Sequence, residues 1–383
     1  MTVARPDEVR RFNRSSLLRL LHIGGPATRA ALAVELGLNR STIKMLVDGL
    51  AEDGVVEEKV PRLARGAGRP SLLVLPQPQA AVVLAVDVQA EHVGIALVGF
   101  GGQVMGRNSW NLRGRQREPD EVITHVAESA AMLAEDLGMR PVAAGVCVPG
   151  VVRRADGLVH NAANLRWGEV ALGQRLHAVL DVPVTVGNDA EFGALAEHVR
   201  GVGRAAADAV FVSADVGVGG GLIAQRALLR GSAGYLGEIG HMTVRPGGRK
   251  CYCGNEGCWE TEVGEAALCR ALGMPEHGPR GAIVAELREL QGDWEVRLDG
   301  YLEWMTLGLV NVVNILGPEL VVLGDLFTAL PEPAIDRVRD QVHRRSMVSR
   351  AFGGVRIDKS RLGPDLKLLG AAEAAFEGVL AML

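Results

Sequence analysis

The chain has 383 residues, 48% of them hydrophobic and 22% charged, with a net charge of −4. That supplies two or three ordinary globular cores and excludes a disordered or fibrous protein. The N-terminal stretch MTVARPDEVRRFNR lacks the apolar segment of a secretion signal. The most apolar later run, LGLVNVVNILGPELVVLG, is broken by Asn311, Asn314, Pro318 and Glu319, so a cytoplasmic protein with no membrane partner is expected.

Charge is unevenly spread. Up to Leu75, twelve Lys and Arg face eight Asp and Glu, whereas the remainder carries 29 against 37. A basic head on an acidic body points to an anionic partner for the head. The head opens with SSLLRLLHIGG, TRAALAVELGL and NRSTIKMLVDGLAEDG, whose apolar residues recur at three- and four-residue steps and predict three helices. Thr28 and Asn39 are suitable N-caps. Only Gly37-Leu38-Asn39 separates the second helix from the third, the tight turn of a helix-turn-helix, and VVEEKV and SLLVLP then read as a two-stranded wing. Ile43, Leu46, Val47 and Leu50 are expected in the core, leaving Arg40, Ser41, Thr42 and Lys44 on the outer face of the third helix. Those side chains suit phosphates and base edges of double-stranded DNA, against the alternative of a helical hairpin with a solvated face. RLARGAGRPS, with Arg62, Arg65 and Arg69 among glycines, reads either as a wing turn and linker or as an arm that lays Arg69 in the minor groove.

After Leu75, strands alternate with helices. AVVLAVDVQAEHVGIALVGFGGQV reads as a strand hairpin, and PVAAGVCVP, VPVTVG, AVFVSADVG and LVVLGD as further strands. EVITHVAESAAMLAEDLG, AEFGALAEHVRG and YLEWMTLGLVNVVNILG read as helices between them, so the body is α/β. A hairpin that begins at an aspartate and a later glycine-rich hairpin suggest two similar halves, with ligands at strand carboxyl ends.

Cys251, Cys253 and Cys258 form a C-x-C-x4-C cluster threaded with Gly254 and Gly257, and His241 is available as a fourth ligand. Three thiolates and an imidazole make a closed tetrahedral shell, so one structural zinc per chain is expected rather than disulfides, which rarely persist in the cytosol. Cys147 and Cys269 sit in apolar surroundings and read as core residues.

GEIGHMTV followed by CYCGNEGCWE, VGNDAEFGALAE, VPG at Val148 to Gly150, NLRW at Asn164 to Trp167 and LLGAAEAA near the end together resemble the ROK family of bacterial sugar kinases and sugar-responsive repressors. The resemblance covers nearly the whole chain and implies a two-lobed, actin-like body. A helix-turn-helix in front is what the repressor branch carries, in the manner of xylose and N-acetylglucosamine repressors. The implied organisation is a winged helix-turn-helix domain over residues 1–78, a first lobe over 79–196 joined by the C-terminal helix 364–383, and a second lobe with the zinc loop over 197–363. The resemblance also implies a sugar pocket built from Asn188, Asp189, Glu238, His241 and Glu260, with Gly150 and Asn164 as further candidates. Asp189 matches the kinases' catalytic base and is also placed to cap the following helix. The two glutamates read alternatively as solvated or as supports of the metal ligands.

Family kinases begin D-x-G-G-T, where this chain reads Asp87-Val88-Gln89-Ala90-Glu91, and their second phosphate loop reads G-T-G-x-G-G-G, where it reads Asp215-Val216-Gly217-Val218-Gly219-Gly220-Gly221. Glu91 and Asp215 would bring carboxylates towards a triphosphate, and phosphate loops are built from amides and cations. GVGGG is then expected to be a turn. The resulting expectation is a repressor of carbohydrate genes whose kinase-like body binds a sugar without phosphorylating it, acting as a homodimer or tetramer on operator DNA. An active sugar kinase with an added head is the alternative, kept alive by Asp189, and a DNA-binding protein whose body only oligomerises is a third.

Overall fold

A computed structural model describes residues 6–60, 72–112, 118–276, 279–290 and 292–383. The head runs α1 (Pro6–Gly24), β1 (Ala27–Thr28), α2 (Arg29–Leu36), α3 (Arg40–Glu52), β2 (Val56–Lys59) and β3 (Leu73–Pro76). Both expected caps form: Thr28 Oγ1 accepts from the Ala31 amide at 3.1 Å and Asn39 Oδ1 from the Thr42 amide at 2.8 Å. Gly37 takes φ 63°, and the amides of Gly37 and Leu38 return to the carbonyls of Val34 and Ala33, which ends α2 and turns the chain into α3. Ile43, Leu46, Val47 and Leu50 are buried with Leu17, Leu18, Leu21 and Leu32. Two strands were expected beside these helices, and three form, in the order β1-β3-β2, because the two residues before α2 also pair with β3. Arg29 clamps the layers, donating to Asp48 on α3 and Glu58 on β2 at 2.6 Å each.

The body continues with β4 (Val82–Val88), β5 (His92–Gly99), β6 (Gln103–Asn111), α4 (Pro119–Leu137), β7 (Ala143–Val148), β8 (Val151–Arg153), β9 (Leu158–Ala162) and β10 (Trp167–Val170). Next come α5 (Leu172–Leu180), β11 (Val184–Asn188), α6 (Asp189–Arg200), β12 (Ala209–Ala214), β13 (Val218–Ala224) and β14 (Ala227–Leu228). The helices α7 (Trp259–Val263), α8 (Glu265–Ala271), α9 (Arg280–Glu289), α10 (Trp294–Arg297) and α11 (Asp299–Leu316) precede β15 (Leu320–Asp325). Two more, α12 (Glu332–Arg345) and α13 (Met347–Ala351), lead to β16 (Arg356–Lys359) and α14 (Leu366–Met382).

Two five-stranded sheets repeat one plan, as the two-halves reading expects. One has the order β11-β7-β4-β5-β6 and the other β16-β15-β12-β13-β14. Each starts as an antiparallel run and then adds later strands on the other side of its first strand, β7 pairing parallel with β4 and β15 parallel with β12. The chain groups into two compact units, Met1–Cys147 with Ala171–Val186 and Ala371–Leu383, and Val148–Val170 with Gly187–Gly370. The grouping departs from the boundary at 196 because α6 packs on the second sheet. A Cβ at Gly219 or Gly221 would meet Ala190 at 2.8 and 2.3 Å, and one at Gly193 would meet the Phe211 ring.

The same close approach corrects the reading of GVGGG as a turn. Gly219, Gly220 and Gly221 lie inside β13, opposite Ser213, Val212 and Phe211 of β12, and the turn is the preceding Asp215–Gly217. Glycine is required there by helix-to-strand packing rather than by chain reversal. In the first unit, α1 is seated by His22, whose Nε2 lies 2.9 Å from Glu373 and whose Nδ1 accepts the Gly101 amide at 3.0 Å. Both His22 and Glu373 are buried.

Candidate functional site

The cysteine loop closes on the segment that carries His241. Trp259 donates its amide to Met242 and Val244 its amide to Gly257, so the two ends of the loop lie side by side. Gly257 has φ 71°, and a Cβ there would lie 1.7 Å from the Arg245 carbonyl, so no other residue fits. One ligand atom from each of His241, Cys251, Cys253 and Cys258 falls within 4.8 Å of the others, and this group could hold a metal ion. Cys253 Sγ stands 3.7 Å from Cys258 Sγ, and Cys251 Sγ 3.5 Å from His241 Nδ1. Burial pushes the thiols of Cys251 and Cys258 up, while the Asn255 amide holds that of Cys253 down. A bound cation reverses the first two shifts by favouring the thiolates.

The carboxylates around this loop are placed by it. Cys258 is the N-cap residue of α7, so Glu260 occupies its first turn, where Oε2 accepts the Val218 amide of β13 at 3.0 Å. Burial pushes the Glu260 carboxyl up, opposed by that amide. Glu238 Oε2 lies 3.6 Å from His241 Nε2, and the Tyr252 hydroxyl lies 3.2 Å from the same nitrogen. His241 Nε2 is thus already met from within the chain. Tyr252 was not singled out from the sequence, and nothing in its spacing marks it.

Asn188, not Asp189, caps α6: its Oδ1 accepts from Ala190 and Glu191 while its Nδ2 donates to the Gly150 carbonyl at 2.9 Å. Gly150 and Asn188 are therefore brought together. Asp189, half-buried, keeps one oxygen near the Ala190 amide at 3.0 Å and turns the other to Lys367 at 3.5 Å. On the head, Arg40, Ser41 and Lys44 are exposed, while Thr42, expected on the same outer face, is half-buried. Ser41 donates to Asn39, and Lys44 pairs with Asp48 one turn on at 2.9 Å. Arg69, with Arg62 and Arg65, lies outside the described residues.

A model of the ROK family matches residues 83–377. This chain belongs to the ROK family. It is 27% identical to the xylose repressor of Bacillus subtilis over all of both chains, and 25% identical to a glucokinase of Halalkalibacterium halodurans over 75% of this chain and 92% of that one. A crystal structure of a ROK family transcriptional regulator, a homologue of the Escherichia coli MLC protein, superposes with a TM-score of 0.79 at 22% identity over 98% of each chain. Among the described residues no helix is long and apolar enough to cross a membrane.

Within this ROK body, Asp215 does not stand as a bare charge. Lys367 lies 3.1 Å from it and Arg280 also pairs with it, so the expectation that Asp215 repels phosphate by an uncompensated charge gives way. Glu91, by contrast, is exposed at the end of the β4–β5 turn. Lys367, which carries no motif, is the residue that sequence reasoning missed at this position.

Proposed function

We propose that this chain is a sugar-responsive, DNA-binding repressor of carbohydrate genes. In this reading a winged helix-turn-helix head lays α3 in the major groove, with Arg40, Ser41, Thr42 and Lys44 towards the DNA and Arg69 as a further DNA contact. The body binds a neutral sugar through Asn188, Asp189, Glu238, His241 and Glu260, which together offer acceptors and no free cation for a phosphate. The observation that carries the reading is the exposed Arg40 and Lys44 on the Asn39-capped helix α3, in the same chain as a ROK body. The full-length match to a xylose repressor makes D-xylose the first sugar to test. A homodimer or tetramer on an inverted repeat follows from two-fold symmetry.

Zinc is the metal we assign to His241, Cys251, Cys253 and Cys258. A tetrahedral shell with Zn–S near 2.3 Å and Zn–N near 2.05 Å has sulfur–sulfur edges of about 3.8 Å and sulfur–nitrogen edges of about 3.6 Å. The observed 3.7 and 3.5 Å match two of those edges and support that shell. With four protein ligands the metal would be structural, and Glu238 and Tyr252 would hold the His241 ring at its other nitrogen until a sugar hydroxyl took the place of the Tyr252 hydroxyl there.

The kinase reading rests on Asp189 and on the glucokinase relative. Against it stand the exposed acidic residue Glu91 in the first phosphate loop and the engagement of Asp189 by Lys367. The deciding experiment titrates the protein onto DNA from upstream of its own gene, with and without D-xylose, D-glucose and N-acetylglucosamine, beside a coupled ATPase assay. Binding relieved or promoted by one sugar, with no ATP turnover, is expected. Sugar-dependent turnover abolished by Asp189→Ala would overturn the proposal.

A further inference from the structure

In the second unit, aspartates from three elements converge on one side chain. Lys367 Nζ lies 3.1 Å from Asp215 Oδ2 and 3.5 Å from both Asp189 Oδ2 and Asp325 Oδ1. The lysine side chain is 7% exposed, so its charge is neutralised by these partners rather than by water. Asp215 follows β12, Asp325 ends β15 and Asp189 starts α6, which places the meeting point beyond the carboxyl ends of two neighbouring parallel strands. That is where α/β sheets hold their ligands.

Other polar groups facing the cluster include Arg280 of α9, paired with Asp215, Glu265 of α8, 3.8 Å from Arg280, Ser213 of β12, which donates to Asp325, the Val216 amide, which donates to Asp215 at 2.8 Å, and the Ala190 amide on Asp189. Four carboxylates thus share two cations. Like charges this close and this shielded repel strongly, so the ammonium is what allows the three aspartates to meet. Asp325 is held there at φ 50°, a left-handed conformation that costs energy for any residue with a side chain.

We propose that Lys367 is a built-in substitute for a metal ion, its ammonium permanently filling the position among Asp189, Asp215 and Asp325 and closing it to a divalent cation carrying a nucleotide. Phosphoryl transfer uses a metal that bridges carboxylates to phosphate oxygens. An ammonium satisfies the same carboxylates through its N–H donors and offers no coordination position beyond them. Asp189, held to a cation, is a fixed acceptor and a poor proton acceptor for a sugar hydroxyl. The inference deepens the reading of the body as a sensor that does not phosphorylate, and rests on that reading for its consequence.

The test titrates zinc-loaded, full-length protein with Mn²⁺ and follows free Mn²⁺ by electron paramagnetic resonance. Wild type and the charge-preserving Lys367→Arg should take up none at this position. Lys367→Ala should take up a single ion, at least about tenfold more tightly than wild type, and adding Asp325→Asn should abolish the gain. A Lys367→Ala protein that folds with Mn²⁺ and not without it supports the proposal equally. If it folds in neither condition, Lys367→Gln, which keeps most of the stem and drops the charge, is read by the same criteria. Equal uptake by wild type and the charge-removed variant, or a folded charge-removed variant with no gain, overturns the proposal. The D-xylose and operator titration on the same wild-type sample separates the two ideas: loss of sugar response sinks the sensor reading and leaves the metal result standing, and the reverse sinks only the lock.

Discussion

Replacing Arg40 by Ala tests the assignment of α3 most directly. Arg40 is the first residue of α3 and is exposed, and the helix is capped by Asn39, so the substitution leaves the cap and the buried Ile43, Leu46, Val47 and Leu50 in place. A cation at a helix N-terminus is slightly unfavourable, so folding stability should change by no more than about 0.5 kcal/mol. DNA binding should change far more. Each phosphate contact contributes about 0.9 to the slope of log affinity against log salt, so losing one contact in each of two half-sites lowers the slope by about 1.8. At about 0.15 M salt that is roughly a 30-fold loss of affinity, and raising salt from about 50 to about 200 mM should cost wild type about 12-fold more than the variant. Fluorescence anisotropy on labelled operator at four salt concentrations measures both numbers. A variant with the wild-type slope and affinity would refute the placement of α3 on DNA. Lys44→Ala should lose less, because Lys44 must first part from Asp48, which Arg29 also holds.

Cys253→Ser should reduce bound zinc from one per chain to a small fraction and lower D-xylose affinity with it, because the loop sets Glu260 on α7; metal analysis beside calorimetry decides, and a zinc-free protein with normal sugar binding would refute the link. Asp189→Ala and Glu260→Ala should each cost about 1.5 to 3 kcal/mol of sugar affinity while operator binding in the absence of sugar stays at the wild-type level. Equal losses of both activities would point instead to misfolding. Asn39→Ala should remove the cap bond to Thr42 at a cost of about 1 kcal/mol, seen as roughly fivefold faster hydrogen exchange along α3.

The helices of the head, their caps and their inner and outer faces were legible in the sequence, because each depends on residues three or four apart and on one cap side chain. The same holds for the cysteine loop: His241 and the three cysteines lie within eighteen residues, and glycines at 254 and 257 let so short a segment close. What the sequence could not determine is everything settled by distant partners. GVGGG looks like a turn in isolation, but from Val218 on it is strand, and Gly219 and Gly221 are glycines there because Ala190, on another element, lies against them. Asp215 looks like an unpaired acid beside a phosphate loop and is neutralised by Lys367, 152 residues away. His241 and Tyr252 meet across their loop with no periodicity to announce it. Short-range pattern is set by backbone geometry, which each stretch carries with it, whereas the partner of a buried charge and the neighbour of a glycine exist only once the chain has closed its long loops. The alternation of strands and helices was therefore written in the chain, and the chemistry at the strand ends was decided by the fold.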